Sequence, residues 1–299
     1  MSGVWENPLP EPFLEHNRPE PEWLRALPEL IEWLAGRWAL TVGPAFPNIW
    51  LNYVAAATRR DGQPCVLKIS RHVDETRNEI AALRLWDGTG AARLLEADLE
   101  LGALLVERLE PGTMLVEVAE GDDDRATQLT AELLAELWRP PVPPDGAGLR
   151  TLESWCAAYD RNRAALSRGE GGFPVALFER ADVLRAELLA STAAPVVLHG
   201  DMHHYNVLRA ERSDWLAIDP KGLFGDRCFD VCQFLRNPKP VPAGVNRRRL
   251  DIFCAELGLD RPRTRDWCLV HAVLDACWDF EDGNSFQRAV EYAIETTTY

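Results

Sequence analysis

One stretch of the chain gathers most of the residues able to do chemistry: Val196-Val197-Leu198-His199-Gly200-Asp201-Met202-His203-His204-Tyr205-Asn206-Val207-Leu208. Its ends are apolar and read as strands, so the polar residues between them form a loop held by two buried elements. Asp201 and Asn206 stand in D-x-x-x-x-N order. In that order an aspartate accepts the proton of an attacking hydroxyl while an asparagine oxygen holds Mg2+. Asp219 follows the apolar run Trp215–Ile218, thirteen residues beyond Asn206. A hairpin of that length returns its end beside its beginning. An amide oxygen and a carboxylate, completed by phosphate oxygens and water, suit octahedral magnesium. Lys68 lies in Val66-Leu67-Lys68-Ile69, a charge inside an apolar strand. A buried ammonium is costly unless paired. Glu79 on the next helix is the expected partner, and Glu75, one turn earlier, the fallback. Such a lysine, oriented by its glutamate, faces nucleotide phosphates, so the set implies phosphoryl transfer from ATP to a hydroxyl.

The elements that must position these groups follow from periodicity. Six prolines among the first thirty residues predict an irregular start, with Pro28 opening a short helix to Ala35. Strands are expected at Trp38–Gly43, Trp50–Thr58 and Cys65–Ser70. A helix capped by Asp74 then runs to Trp86, and a further strand covers Ala103–Val106. The turn Glu110-Pro111-Gly112 marks a boundary between lobes. Beyond it the pattern is helical: Asp124–Arg139, stopped by Pro140-Pro141-Val142-Pro143-Pro144, then 151–167 and 175–191. Short strands at Val196–Leu198, Val207–Arg209 and Trp215–Ile218 interrupt it before helices at 227–236, 244–257, 263–280 and 285–296. The expectation is a bilobal α+β chain. Residues 1–111 form a small antiparallel-sheet lobe, and residues 112–299 a larger, mainly helical one.

Composition narrows the function classes. With 299 residues, 46% of them hydrophobic, the chain has the length and balance of roughly two folded units. Its net charge of −15 opposes sequence-blind nucleic-acid binding, which rests on neutralising phosphates, and suits a cationic small molecule. No apolar run approaches the ~20 residues of a membrane span, and the start has neither a basic nor an apolar leader segment. A cytoplasmic protein is expected. Its seven cysteines, with no C-x-x-C pair, then read as reduced core thiols.

At His199–Asn206 and Ile218–Asp230 the sequence resembles the aminoglycoside phosphotransferase family, small-molecule kinases with a protein-kinase-like fold. The runs Ala217–Asp226, Leu85-Trp86-Asp87-Gly88-Thr89-Gly90 and Leu104–Gly112 are similar to its streptomycin 6-phosphotransferase and hydroxyurea kinase branch. The resemblance spans roughly residues 40 to 285. It implies that Asp201 is the catalytic base, that Asn206 and Asp219 hold Mg2+, and that Lys68 with Glu79 sets the ATP phosphates. It makes Val106, Glu107, Arg108 and Leu109 a hinge that binds adenine through its backbone, and Asp230 a brace beneath the catalytic loop. Lys221 either neutralises phosphate charge or positions its loop. His199 is expected to hydrogen-bond backbone around the loop, and His203 to face the site entrance. Two features depart from protein kinases: Gly43-Pro44-Ala45-Phe46-Pro47-Asn48 replaces a glycine-rich loop, and Pro220-Lys221-Gly222 follows Asp219.

For the acceptor, Asp275, Asp279 and Asp282 fall on one helix face beside Trp278. That face suits a polycationic, hydroxylated ligand, with a cation–π contact to the indole; the alternative is a solvated charged surface. Streptomycin-like aminocyclitols head the expected substrates, with hydroxyurea, other aminoglycosides, sugars and amino alcohols as alternatives. Two other classes fit the residues less well. The H-x-D-x-H-H order of His199, Asp201, His203 and His204 differs from that of binuclear zinc hydrolases. A catalytically silent nucleotide-binding module would be expected to have lost Lys68, Asp201, Asn206 or Asp219.

Overall fold

The computed structural model describes residues 9–141, 146–242 and 244–299. Residues 142–144 of the expected proline stop lie outside the described residues. Five antiparallel strands, β1 (Leu40–Ala45), β2 (Tyr53–Arg59), β3 (Pro64–Ile69), β4 (Leu94–Asp98) and β5 (Ala103–Glu107), form a sheet in the order β1-β2-β3-β5-β4. Strand β4 was not expected from the sequence. All five of its residues are half-buried, so it lacks the two-residue alternation that betrays a strand.

Among the described residues, the segment from Glu11 to Arg37 is mostly helical rather than irregular. Helices α1 (Glu11–His16) and α2 (Pro21–Arg37) cover one sheet face, packing Phe13, Leu27, Ile31 and Leu34 on Tyr53, Leu67 and Leu105. Pro21 opens α2, where a missing N–H is harmless, and Pro28 sits inside the helix it was expected to begin. An internal proline costs roughly 3 kcal/mol. Burying Leu27, Ile31 and Leu34 at about 1.5–3 kcal/mol each outweighs that cost. The opposite face receives α3 (Val73–Trp86), which Asp74 does not cap: the helix starts at Val73 after His72, and Asp74 lies in its first turn. Alternation along β3 and β5 sends Leu67 and Leu105 toward α2, and Lys68 and its strand partner Leu104 toward α3.

The chain then passes through β6 (Pro111–Met114), α4 (Leu115–Ala119) and α5 (Asp123–Leu137). The segment 151–167, expected as one helix, is β7 (Arg150–Thr151) leading into α6 (Leu152–Trp155) and α7 (Ala158–Leu166). After α8 (Val175–Ala190) come the short strands β8 (Val196–Leu198), β9 (Val207–Ala210), β10 (Trp215–Ala217) and β11 (Leu223–Gly225). They form two small sheets, β10-β9-β6 and β7-β11-β8. Strands β7 and β11, two and three residues long, were not expected: unlike β8 and β10, neither lies in a continuous apolar run (Arg150-Thr151; Leu223-Phe224-Gly225). Helices α9 (Cys232–Leu235), α10 (Val245–Leu257), α11 (Arg261–Glu281) and α12 (Gln287–Thr296) complete the fold. Helix α11 is apolar on nearly every face between Trp267 and Cys277, so it runs through the middle of the helical layer, against α7, α8, α10 and α12. All seven cysteines are free thiols, six of them buried.

Two ties join sheet and helices. Ala217 of β10 exchanges backbone hydrogen bonds of 2.9 Å with Gly90 and Ala92. Arg212, on the β9–β10 turn, donates to Glu107 at 2.8–3.1 Å and to the carbonyls of Gly88 and Ala91 at 2.7 Å. Both segments that Arg212 grips are among those carrying the family resemblance.

Candidate active site

The loop between β8 and β9 is held from beneath by one buried carboxylate. Asp230 accepts from the backbone N–H of Gly200 at 2.7 Å and of His199 at 3.0 Å, and from the Trp138 indole at 3.1 Å. Burial pushes its pKa up to about 6 against these donors, so it is ionised at neutral pH. Gly200 has φ +79°, and a Cβ there would lie 2.9 Å from the Leu223 side chain. Asp230→Ala strands three buried donors, and is expected to destabilise the protein by about 3 kcal/mol. The check is urea denaturation; an unchanged midpoint would show that the loop is held by something else.

His199 is fully buried and works inside this scaffold. Its Nδ1 accepts from the Asp201 N–H at 3.2 Å, which leaves the proton on Nε2 to donate to the Ile218 carbonyl at 2.9 Å. Burial depresses its pKa to about 4, so the ring is neutral and ties the loop to the strand before Asp219. His204 turns the other way, stacking on Phe234 with ring centroids 3.8 Å apart. His203 reaches to 3.8 Å of Asp201. The three histidines therefore diverge. Among the described residues no three His, Cys, Asp or Glu side chains gather as a metal cluster.

The backbone segments carrying Asn206 and Asp219 run side by side because β9 and β10 pair with Val207 opposite Ala217, and the Ile218 N–H donates to the Asn206 carbonyl at 2.9 Å. The Asn206 amide nitrogen donates to the Asp201 carbonyl at 3.0 Å, and its side-chain oxygen has no hydrogen-bond partner among the described residues. Asp219 adopts φ +58°, a strained conformation for a residue with a side chain. Its side chain is 43% exposed. Free oxygens on Asn206 and Asp219 fit a hard divalent cation that takes its remaining ligands from phosphates and water.

Lys68 joins the two halves. Its Nζ lies 2.7 and 2.9 Å from the Glu79 oxygens and also contacts Asp219. Burial would neutralise the ammonium, but Asp219 and Glu79 together hold its pKa above the ordinary lysine value. Burial likewise acts to raise Asp219, yet Lys68 and Lys221 hold that carboxyl well below the usual range. Glu79, the more enclosed acid, is pushed by burial up to about 7. Glu75 pairs instead with Lys221, at 3.4 Å. Gly222, with φ +60°, packs where a Cβ would lie 2.3 Å from the Asn78 carbonyl, which brings the Lys221 loop against α3. Lys221 stands between Asp219 and Asp201, and its pKa stays high because their charges and that of Glu75 outweigh burial.

In the segment expected to act as a hinge, the Glu107 N–H donates to the Arg93 carbonyl at 2.8 Å, and its carboxylate is taken by Arg212. The Leu109 N–H has no acceptor among the described residues, and Leu109 joins Ala92, Leu216 and Ile218 in an apolar seam between the lobes. Arg108 points outward toward Glu110, at 3.6 Å.

A cavity of about 410 Å³ opens beside Asp201 and Lys221. Trp155 and Trp278 line it, their rings packed edge to face at 5.2 Å. The acidic face expected here is only partly in place. Asp275 lines the cavity but is paired with buried Arg236, while Asp279 and Asp282 are not among its walls. Burial raises the pKa of Asp279, against the charges of Lys239 and Arg236. Trp155, Gln233, Arg236 and His271 were missed by sequence reasoning. They belong to three separate segments with no spacing that links them to the loop.

Solved structures share this architecture. Choline kinase LicA from Streptococcus pneumoniae aligns with a TM-score of 0.64 at 13% identity, over 91% of this chain and 99% of that one. It has also been solved with AMP. The fold is thus that of the protein-kinase-like small-molecule kinases. More particularly, the chain belongs to the aminoglycoside/hydroxyurea antibiotic resistance kinase family, whose model matches residues 37–283. It is 37% identical to a streptomycin 6-kinase of Streptomyces glaucescens, over 88% of this chain and 86% of that protein. It is 36% identical to a hydroxyurea phosphotransferase of Kitasatospora aureofaciens, over 91% and 79%. Among the described residues no helix is long and apolar enough to cross a membrane.

Proposed function

We propose that this kinase transfers the γ-phosphoryl group of ATP to a hydroxyl of a streptomycin-like aminoglycoside, in a cleft between lobes spanning residues 1–111 and 112–299. The observation that carries the reading is the convergence of Lys68, Glu79 and Asp219 beside a cavity that Asp201 lines. Adenine enters at the hinge, against the Leu109 N–H and the apolar seam. Lys68, kept charged by its two carboxylates, takes the phosphates, and Lys221 faces the group in transfer. Asn206 and Asp219 would hold Mg2+, which neutralises phosphate oxygens when bound. Asp201 accepts the acceptor's proton as the new bond forms. The transition state is loose, so positioning and charge neutralisation supply most of the rate.

The acceptor lies over the helical lobe. A cavity of this size takes one aminocyclitol or sugar ring. Trp278 offers a ring for its apolar edges and for a guanidinium substituent, whereas the Trp155 ring already carries the Arg150 guanidinium 4.9 Å from its centroid. The relationship to a hydroxyurea phosphotransferase favours one second reading, hydroxyurea as acceptor. An ATP-consumption screen over streptomycin, other aminoglycosides, hydroxyurea, sugars and amino alcohols, with and without Mg2+, separates them. Magnesium-dependent turnover with streptomycin is expected. Turnover with hydroxyurea alone selects the second reading, and ATP binding without turnover on any compound would reduce the chain to a nucleotide-binding module.

A further inference from the structure

Asp201 does not stand free in its cleft. Gln233 Nε2 lies 3.1 Å from Asp201 Oδ1. A carboxamide has a donating and an accepting end, and its neighbours decide which way it points. Arg236, which has only donors, reaches Gln233 Oε1 with its Nε at 2.8 Å. The oxygen must therefore face Arg236, and the NH2 group must face Asp201. Arg236 is 4% exposed, and such a buried guanidinium needs a counter-charge. Asp275 of α11 supplies it from the cavity wall.

We propose that Gln233, locked by Arg236 and Asp275, is the residue that positions the Asp201 carboxylate, and that Asp275 acts through this chain rather than as a direct acceptor ligand. The inference rests on the phosphotransferase reading above. Its physical content is a restriction of rotation. With Oδ1 engaged by Gln233, the carboxylate presents Oδ2 to the acceptor hydroxyl, since no hydrogen bond to Oδ2 occurs among the described residues. His203 lies 3.8 Å from the same engaged oxygen, so Gln233 is the only group at hydrogen-bond distance from it among the described residues. The chain crosses three elements, linking the acceptor wall on α11 through α9 to the loop.

The test uses Gln233→Met, which keeps length and volume but loses the donor, and Asp275→Asn, which keeps shape but loses the charge. Steady-state kinetics with the acceptor that wild type phosphorylates should show kcat reduced roughly 10- to 100-fold in each. The acceptor KM should stay within about twofold and ATP affinity unchanged, with misplacement of the base as the cause. The decisive arm is the double variant Asp201→Asn/Gln233→Met, which should be no slower than Asp201→Asn alone because the positioned group is gone. A further multiplicative loss in that background would assign Gln233 a general structural role and overturn the proposal. So would Asp275→Asn raising KM with kcat retained, the signature of a direct ligand. Should one variant fold poorly, the thermal midpoint of the other keeps the comparison sound. Failure of the wild-type enzyme to phosphorylate any acceptor would instead strike the reading beneath, and is visible before any variant is made.

Discussion

Asp201→Asn is expected to lower kcat about 10²- to 10⁴-fold, the span of general-base catalysis, while ATP affinity stays nearly constant. The substitution is close to isosteric. The loop is held by Asp230 through the backbone of His199 and Gly200, not through the Asp201 side chain, so its course should survive. The Gln233 NH2 can still donate to an amide oxygen at that position. What disappears is the capacity to take a proton. Lys68, Glu79 and Asp219, the groups proposed to face the nucleotide, lie on other elements and keep their contacts. Equal turnover by the variant would remove Asp201 from the role of base.

The second large effect is expected at Asp219. Asparagine tolerates the left-handed backbone that this position adopts, so Asp219→Asn tests charge rather than strain. Loss of the carboxylate leaves Lys68 paired with Glu79 alone and removes the one anionic ligand that the proposed divalent-cation site would draw from the protein. Metal stabilisation of transferring phosphoryl groups is worth several kcal/mol, so a fall in kcat on the order of 10²–10⁴ is expected. The variant should also need far more Mg2+ to reach half-maximal rate. A magnesium titration superimposable on that of wild type would show that Asp219 is not a ligand.

The reach of sequence reasoning differs between elements for physical reasons. Strands β2, β3 and β5 and helices α3, α5 and α11 were legible because each buries one face or all of its faces, and burial writes a period into the residue types. Helix α2 was misplaced because Pro28 reads locally as a start. Its actual start at Pro21 is stabilised by packing against a sheet formed later in the chain. Strands β4, β7 and β11 are too short or too evenly half-buried to carry a period.

By itself, the sequence determined the family, the bilobal fold class and the candidate groups for phosphoryl transfer. Those groups are set by local spacing: a loop between two apolar strands, a hairpin of fixed length, and one charge in an apolar strand. Only the tertiary structure decided how the side chains around them pair. Glu75 turns to Lys221, Asp275 turns to Arg236, and a glutamine from α9 reaches Asp201. The reason is distance along the chain. A pairing between elements far apart in sequence depends on how helices and sheets pack, and packing leaves no periodic mark on any one segment.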